Sequence, residues 1–480
     1  MINFLIKIAL PLLGPLFFFI FLNLDLGLND TQTTYLAIFI FVVYNWLIAW
    51  LPLFVTGFLG VGLTILFGVE SSVVALSSFA NPIIFLFLAG FLFAKAMNET
   101  GLDKRISLMI LGKSFIAKSF DRLLFCLLAL TFFFSMWVSN TATTAMMLPI
   151  MLGTANSLNI KDSKTLGYML LGLAYASSIG GLGTPVGSPP NIIAIGMLSE
   201  LANIQVSFVQ WTLYGTPLAL VFLLIIFLYI KSKIPFENKH IDASYLRNEA
   251  ARLPPISSGE KWLIFLFVLL IGGWFLPGLL NGLFGLDYPF FKVLDSRMEA
   301  GAVGMVLASF LFICPFGADS KLLGVQDVKD IDWPSLLLFG SGLALGKILF
   351  SVGLAQIAGT FIVENVAGAS VLVLFLVLTY FTIFFTELAS NTATANIIIP
   401  IVIAAASLFS INPILLAMAV ALSCSLAFML PVATPPNAIV YGSGKVDIKV
   451  MMKFGFILNI IFGFIIAMLF YAVSSLGFMT

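Results

Sequence analysis

The chain has 480 residues, of which 61% are hydrophobic and only 9% are charged, and its net charge is +1. A soluble domain carries roughly 25% charged residues, so this composition excludes a large soluble protein. Apolar runs of about 20 residues, long enough to cross a bilayer, recur along the whole chain. We predict an all-α polytopic protein of the plasma membrane, a bacterial inner membrane in particular, with no nucleic-acid partner.

The first apolar run follows Lys7 and resembles a signal peptide, but Asn23-Leu24-Asp25 is a poor cleavage site. We therefore predict that it is retained as a helix. The predicted spans are 5–22, 33–50, 53–69, 82–103, 165–198, 212–230, 261–285, 298–315, 334–350, 413–443 and 452–476.

Two further apolar regions carry the same polar motif at their centres. Residues 139–150 read SNTATTAMMLPI and residues 390–400 read SNTATANIIIP, about half a chain length apart. The apolar arms beside each motif reach about 20 Å as helices, short of the ~30 Å hydrocarbon core. Each region is too long for one span and too short for two. We predict a re-entrant hairpin in each, with the motif at its tip.

Basic residues support this topology. If the N-terminus is cytoplasmic and both hairpins are re-entrant, most basic residues, including the clusters in 104–122 and 231–261, fall on the cytoplasmic side. The C-terminus is then extracytoplasmic. If the first hairpin crossed the membrane, those two clusters would lie on opposite sides.

The halves also match outside the hairpins: Gly90, Lys95 and Gly101 align with Gly342, Lys347 and Gly353. An odd number of spans separates equivalent elements, so the repeat is inverted. The predicted units are an N-terminal helix in 1–32, a first repeat in 33–230, a cytoplasmic linker in 231–260 and a second repeat in 261–476. Their predicted parts are scaffold helices 33–103 and 261–350, hairpins 123–158 and 372–408, broken helices 165–198 and 413–443, and closing helices 212–230 and 452–476.

The paired SNT motifs, with Thr184-Pro185 and CSLAFMLPVATPPNAIV (424–440), closely resemble the divalent-anion/sodium symporter family. That family includes sodium-dependent dicarboxylate, citrate and sulfate cotransporters. The resemblance extends over nearly the whole chain. It implies about 11 transmembrane helices plus two re-entrant hairpins, a homodimer, and an elevator-type movement of a transport domain against a scaffold.

The motifs contain no charged side chain, so a dianion would be held by hydroxyls, amides and helix N-termini, together with accompanying cations. The resemblance implies contacts from Ser139, Asn140, Thr141, Ser390, Asn391, Thr392, Thr434 and Pro435. It implies one Na⁺ site at Ser135, Ser139, Asn140 and a carbonyl near Gly183, and a second at Thr386, Ala389, Asn391 and Ala433. Oxygen ligands without a required carboxylate favour a monovalent ion. Na⁺ is thus the expected coupling ion, with no organic cofactor.

Simpler interpretations exist for several residues. Small polar residues often serve helix packing in membranes, although two symmetric copies favour a site. Glu387 could bind a cation, but Met136 at the equivalent position favours a structural role. Lys95 and Lys347 are interpreted as snorkelling residues, with a structural charge pair as the alternative.

We expect a transporter rather than an enzyme, driven by Na⁺ and importing a C4-dicarboxylate such as succinate, fumarate or malate. The alternatives are an exchanger without net Na⁺ flux, Na⁺-coupled citrate or sulfate transport and, more remotely, an ion channel. A channel filter usually arises from oligomeric symmetry around a pore, whereas one chain supplies both halves here.

Overall fold

A computed structural model of the chain describes residues 2–160, 162–234, 244–284, 289–316, 321–366 and 370–477. Within these ranges the regular secondary structure is helical. The helices of the first half are α1 (Ile2–Leu22), α2 (Asp30–Ile48), α3 (Leu53–Leu66), α4 (Ser72–Ser77), α5 (Pro82–Thr100), α6 (Leu102–Leu111), α7 (Phe120–Ser135), α8 (Asn140–Ser157), α9 (Ser163–Gly180), α10 (Pro189–Ala202) and α11 (Phe208–Lys233).

The second half has an equivalent series, preceded by one helix of the predicted linker. Its helices are α12 (Ser244–Ala251), α13 (Ser258–Phe284), α14 (Pro289–Arg297), α15 (Ala300–Phe310), α16 (Trp333–Ser351), α17 (Leu354–Val366), α18 (Val371–Leu388), α19 (Asn391–Leu408), α20 (Pro413–Cys424), α21 (Pro435–Gly442) and α22 (Ile448–Ser475).

Eight helices or helical stretches in the described part of the chain are long and apolar enough to cross a membrane. Four more apolar helices are shorter, at 10–17 residues. An all-helical chain with this many apolar helices is a multi-pass membrane protein. The count of eleven spans stays a prediction.

Both SNT regions form pairs of helices joined by short turns. Ser135 ends α7 and Asn140 begins α8, while Leu388 ends α18 and Asn391 begins α19. Ser139 precedes α8, and its hydroxyl accepts a hydrogen bond from the Ala142 N–H at 3.2 Å. Each motif therefore stands at the N-terminus of the second helix of its pair, as a serine or asparagine cap favours.

Two glycines divide long apolar stretches at equivalent places. Gly101, between α5 and α6, has φ +66°, and Gly353, between α16 and α17, has φ +84°. Glycine adopts this left-handed conformation readily and commonly ends helices in it. The sequence analysis aligned these glycines but missed α6 and α17, the helices that follow them.

The helices form two groups, defined by their packing. The core bundle consists of α7–α10 and α18–α21, in which α9 packs on α7 and α8, and α20 packs on α18 and α19. The frame consists of α2, α3, α5, α13, α15 and α16, in which α3 packs on α2 and α16, and α15 packs on α5 and α13. The two groups meet where α16 contacts α10 and α19.

The predicted linker 231–260 contains α12, which packs against α6 and α8. Leu246 is fully buried there, and the Tyr245 ring lies so close to Gly153 that a Cβ atom would stand 2.4 Å from its hydroxyl. This end of the linker is thus a docked helix. Its other part, 235–243 with His240, lies outside the described residues.

Candidate functional site

Four helix N-termini meet at one cavity of about 790 Å³. They belong to the two SNT helices α8 and α19, and to α10 and α21, the second segments of the broken helices. The cavity lining also includes frame residues from α2, α5 and α16. Each N-terminus brings partial positive charge, so together they favour an anion in the cavity.

The four N-termini differ in the donors that they supply. Helix α10 starts with Pro189-Pro190 and α21 with Pro435-Pro436, and proline has no backbone N–H. These two helices therefore contribute their dipoles and few donors. The SNT helices contribute free N–H groups as well as the Ser, Asn and Thr side chains.

The first amide cluster surrounds Asn140. The Ser135 hydroxyl donates to the Asn140 Oδ1 at 2.7 Å, and the Ser177 hydroxyl donates to the Asn140 backbone carbonyl at 2.8 Å. With the amide turned over, which satisfies both of its ends, its nitrogen donates to the Ser135 hydroxyl at 2.7 Å and to the carbonyls of Ser177 and Gly187 at 3.3 Å. One amide head group is thus crowded by oxygen atoms, which is the environment that a small hard cation prefers.

The second amide cluster repeats this arrangement around Asn391. The Thr386 hydroxyl lies 2.8 Å from the Asn391 Oδ1 and 2.9 Å from the Cys424 carbonyl oxygen. Thr386 is fully buried. In both clusters a hydroxyl from the last turn of one hairpin helix contacts the asparagine that starts the other. Exposed carbonyls at helix C-termini carry partial negative charge, which also suits a cation.

An asparagine holds the break of each broken helix in the same way. Asn191 donates from Nδ2 to the carbonyls of Gly181 and Thr184, both at 2.8 Å. Asn437 donates to the carbonyls of Ala427 and Leu430, both at 3.0 Å. The spacing from asparagine to acceptors is identical, so TPVGSPPN (184–191) is the counterpart of LPVATPPN (430–437).

The sequence analysis named a carbonyl near Gly183 in the first Na⁺ site and Ala433 in the second, and this register shows that the two residues are not equivalent. The structural counterpart of Ala433 is Gly187, and that of Thr434 is Ser188. The Gly183 carbonyl instead accepts from the Thr216 hydroxyl at 2.8 Å, whereas Gly187 lines the cavity. The structure therefore does not bring Gly183 to the site. Its place next to Asn140 is taken by Gly187.

The other predicted residues come together. Those that line the cavity are Ser139, Asn140, Thr141, Ala389, Ser390, Asn391, Thr392, Ala433, Thr434 and Pro435. Ser135 and Thr386 lie directly behind the tips. The sequence analysis missed Ser177, Gly187 and Ser188, although aligning the two eight-residue segments above would have found the last two.

Glu387 braces the second broken helix. It is 4% exposed, and its carboxylate accepts from the backbone N–H groups of Phe428, Met429 and Leu430 at 2.7, 2.8 and 3.2 Å. The Asn459 amide donates to it at 2.7 Å. All these partners are structural, which agrees with the preferred interpretation from sequence.

The two repeat-related lysines form ion pairs. Lys95 lies 2.7 Å from Glu99 and 2.9 Å from Asp330, within the frame. Lys347 lies 3.0 Å from Glu200 of α10. Both lysines therefore fit the charge-pair alternative from the sequence analysis.

Comparison with known proteins connects this geometry to a family. The family model described as "Sodium:sulfate symporter transmembrane region" matches residues 5–476. The chain belongs to this family. The match confirms the resemblance inferred from the SNT and TPPN motifs.

Curated relatives span nearly the whole chain. A sodium-dependent dicarboxylate transporter of Staphylococcus saprophyticus is 34% identical over 94% of this chain and 88% of its own length. An uncharacterized transporter of Haemophilus influenzae is 36% identical over 95% of both chains.

Two solved structures share the fold at 15% sequence identity. The YdaH transporter of Alcanivorax borkumensis aligns with a TM-score of 0.58 over 87% of this chain and 90% of its own. MtrF of Neisseria gonorrhoeae aligns with a TM-score of 0.56 over 86% and 84%. The first of these is described as having an unusual topology.

Proposed function

We propose that this protein is a secondary active symporter that couples the inward movement of Na⁺ to the uptake of a divalent anion, a C4-dicarboxylate such as succinate, fumarate or malate. The observation that carries the proposal is the convergence of four helix N-termini and neutral SNT side chains on one cavity, with an oxygen-rich amide cluster beside each SNT tip. The similarity to sodium-dependent dicarboxylate transporters supports Na⁺ and dicarboxylate as the transported species.

The arrangement explains why the two species would travel together. Ser139, Asn140 and Thr141 contact the anion from one tip, and Ser390, Asn391 and Thr392 contact it from the other, with Ser188 and Thr434 beside them. No basic side chain lines the described cavity, and a dianion without countercharge would be strongly disfavoured there. Na⁺ in the two amide clusters supplies that charge.

For the first Na⁺ we propose oxygen ligands from Ser135, Ser139, Asn140 and Gly187. For the second we propose Thr386, Ala389, Asn391 and Ala433. Both sites share an asparagine with the anion site, so each ion would stabilise the tip that binds the anion. Binding of Na⁺ and anion would then be reciprocal in free energy.

We further propose that the chain forms eleven spans with two re-entrant hairpins, with the N-terminus cytoplasmic and the C-terminus extracytoplasmic, and that it acts as a homodimer. The core bundle carries every proposed ligand, so moving it as one body past the frame would keep the ligand shells intact. Parting the hairpins would break them. Exchange of conformations between inverted repeats relates the two end states.

The test of function is uptake of radiolabelled succinate into proteoliposomes. We expect accumulation with an inward Na⁺ gradient and none when K⁺ or choline replaces Na⁺. Equal net uptake in K⁺ would contradict symport, and counterflow that persists without Na⁺ would identify an exchanger. Stronger competition by citrate or sulfate than by fumarate or malate would reassign the anion.

The test of movement uses cysteine pairs between frame and core bundle, in a background that lacks Cys126, Cys314 and Cys424. Cross-linking should stop transport and leave Na⁺-dependent succinate binding intact. Full transport by a completely cross-linked protein would favour local opening of the hairpins.

A further inference from the structure

We propose that Glu200, Lys347 and Asn81 form a latch that holds the core bundle against the frame in the conformation seen here. Glu200 lies near the end of α10 in the core bundle. Its two carboxylate oxygens contact two frame residues: the Lys347 ammonium at 3.0 Å and the Asn81 amide at 3.0 Å. The inference rests on the proposed movement of the core bundle as one body.

The candidate cavity reaches the exposed α2–α3 connection at Ala49 and Pro52, which is cytoplasmic in the proposed topology, and we call this end of the cavity its mouth. The latch lies far from the mouth. Pro189 of α10 lines the cavity, and Glu200 lies about 16 Å further along that helix. Asp332 lines the cavity just before α16, and Lys347 lies about 21 Å from the start of that helix. The latch therefore acts at the end of the boundary opposite the mouth.

A second cavity of about 790 Å³ lies beside the latch. Its lining includes Asn81 and Leu86 of the frame, and Ser199 and Gly196 of α10. The cavity follows the boundary between core bundle and frame. It leaves space next to the latch into which α10 could move once the carboxylate is released.

The rest of the α10–α16 boundary offers little directional contact. Gly196 lies against Phe339 and Leu343, and Gly346 lies against Met197. Burial of apolar surface is not directional, so such a surface tolerates sliding. The Glu200 carboxylate, which contacts two donors on the frame, favours one position of α10 along that surface.

The contact between α16 and α19 contains a buried amide that destabilises this conformation. Asn396 of α19 is 1% exposed and lies against Gly342 of α16, and neither polar atom of its amide has a hydrogen-bond partner in this structure. A buried amide without partners costs free energy. The latch offsets part of that cost, so its loss should shift the population towards the other end state.

The latch is also asymmetric. Lys95, the repeat counterpart of Lys347, pairs with Glu99 of α5 and with Asp330, which lies just before α16, so it does not join the two groups. Asp330→Asn is therefore a matched control, because it removes a lysine partner at a similar distance without touching the boundary.

The test measures access to Val432→Cys, a cavity-lining position that is 86% exposed, in the cysteine-free background. A membrane-impermeant maleimide is applied to intact cells and to inverted vesicles, without substrate. With the latch residues unchanged, Val432→Cys should be labelled mainly from the mouth side, which the inverted vesicles expose in the proposed topology. Glu200→Gln and Lys347→Met should each raise the ratio of opposite-side to mouth-side labelling about fivefold, the effect of losing one partly buried ion pair.

The swapped pair Glu200→Lys with Lys347→Glu restores the ion pair but not the Asn81 hydrogen bond, so the ratio should return to within about twofold of the original. Asp330→Asn should leave the ratio unchanged. Asn81→Ala removes one neutral hydrogen bond to Glu200 and should raise the ratio about twofold. This variant tests the latch if a charge variant fails to fold. An unchanged ratio in the folded latch variants, or an equal change in Asp330→Asn, would overturn the latch. The labelling ratio does not depend on transport. Failure of succinate uptake would therefore refute the proposed function without bearing on the latch.

Discussion

The two halves of the candidate site have nearly the same tips and different supports. Ser135 contacts Asn140 in the first half as Thr386 contacts Asn391 in the second. Behind the second tip, Glu387 binds three backbone N–H groups of the broken helix. The equivalent residue in the first half is Met136, which has no carboxylate.

The first broken helix is held instead by neutral groups. The Thr184 hydroxyl donates to the Met136 carbonyl, and the Trp211 indole and the Thr216 hydroxyl donate to the carbonyls of Leu182 and Gly183 at 3.1 and 2.8 Å. The comparison teaches that the two repeats share the geometry of their tips. The contacts that hold each broken helix differ, because they depend on the residues packed around it. The predictions below test these two statements separately.

The largest effect should come from Asn140→Asp and Asn391→Asp. Each change removes an amide donor and places a negative charge beside a dianion, and like charges in contact cost several kcal/mol. Na⁺-driven succinate uptake should fall at least about tenfold in both variants. Asparagine-to-alanine variants control for loss of the side chain. Wild-type uptake by either aspartate variant would show that the halves do not share one site.

The next effect concerns the bracing. Glu387→Ala leaves four donors without their acceptor, of which those of Phe428 and Asn459 are buried, and at about 1–3 kcal/mol for each buried donor we expect a loss of about 2–6 kcal/mol of stability. Thermal unfolding in detergent should show a lower Tm. Glu387→Gln keeps an acceptor oxygen and should lower Tm less. If both variants unfolded at the wild-type Tm, the carboxylate would not brace the loop.

A smaller effect distinguishes Gly187 from its counterpart Ala433. A Cβ atom on Gly187 would lie 2.6 Å from the Gly181 carbonyl oxygen, so Gly187→Ala must displace the loop next to Asn140. We expect the apparent Na⁺ affinity to fall several-fold. Ala433→Gly only adds backbone freedom, at a cost of about 0.4–1 kcal/mol. Equal Na⁺ affinity in Gly187→Ala and wild type would remove Gly187 from the proposed ligands.

The sequence contained most of the site because polar runs inside apolar segments are conspicuous. The SNT tips and the proline-broken segments were predicted from that contrast, from the repetition of the motif and from the length of the apolar arms, whereas the individual contact residues were implied by the family resemblance. Gly183 came from the family resemblance, and the shared Thr-Pro dipeptides at 184–185 and 434–435 do not by themselves fix a register. The asparagines at 191 and 437 do fix it, since each must reach carbonyls in its own loop.

Other features depend on contacts between distant segments. Glu387 binds a loop some forty residues away along the chain, and nothing near it in the sequence identifies that partner. Lys347 and Glu200 meet across two packed helices, whereas the sequence offers only a lysine in an apolar run. Helices α6 and α17 were missed because they are short continuations that begin after a glycine.

The two cavities approach each other at one short piece of chain. Val186 and Gly187 line the candidate site, and the adjacent Pro185 lines the cavity beside the latch. Both spaces contain polar side chains, so water can fill them and conduct. In the proposed topology the two spaces open to opposite sides of the membrane, and the transmembrane voltage would then fall mainly across this loop instead of across the full ~30 Å of hydrocarbon. A charge that crosses the loop gains most of the available ~2.3 kcal/mol per 100 mV over a few ångströms.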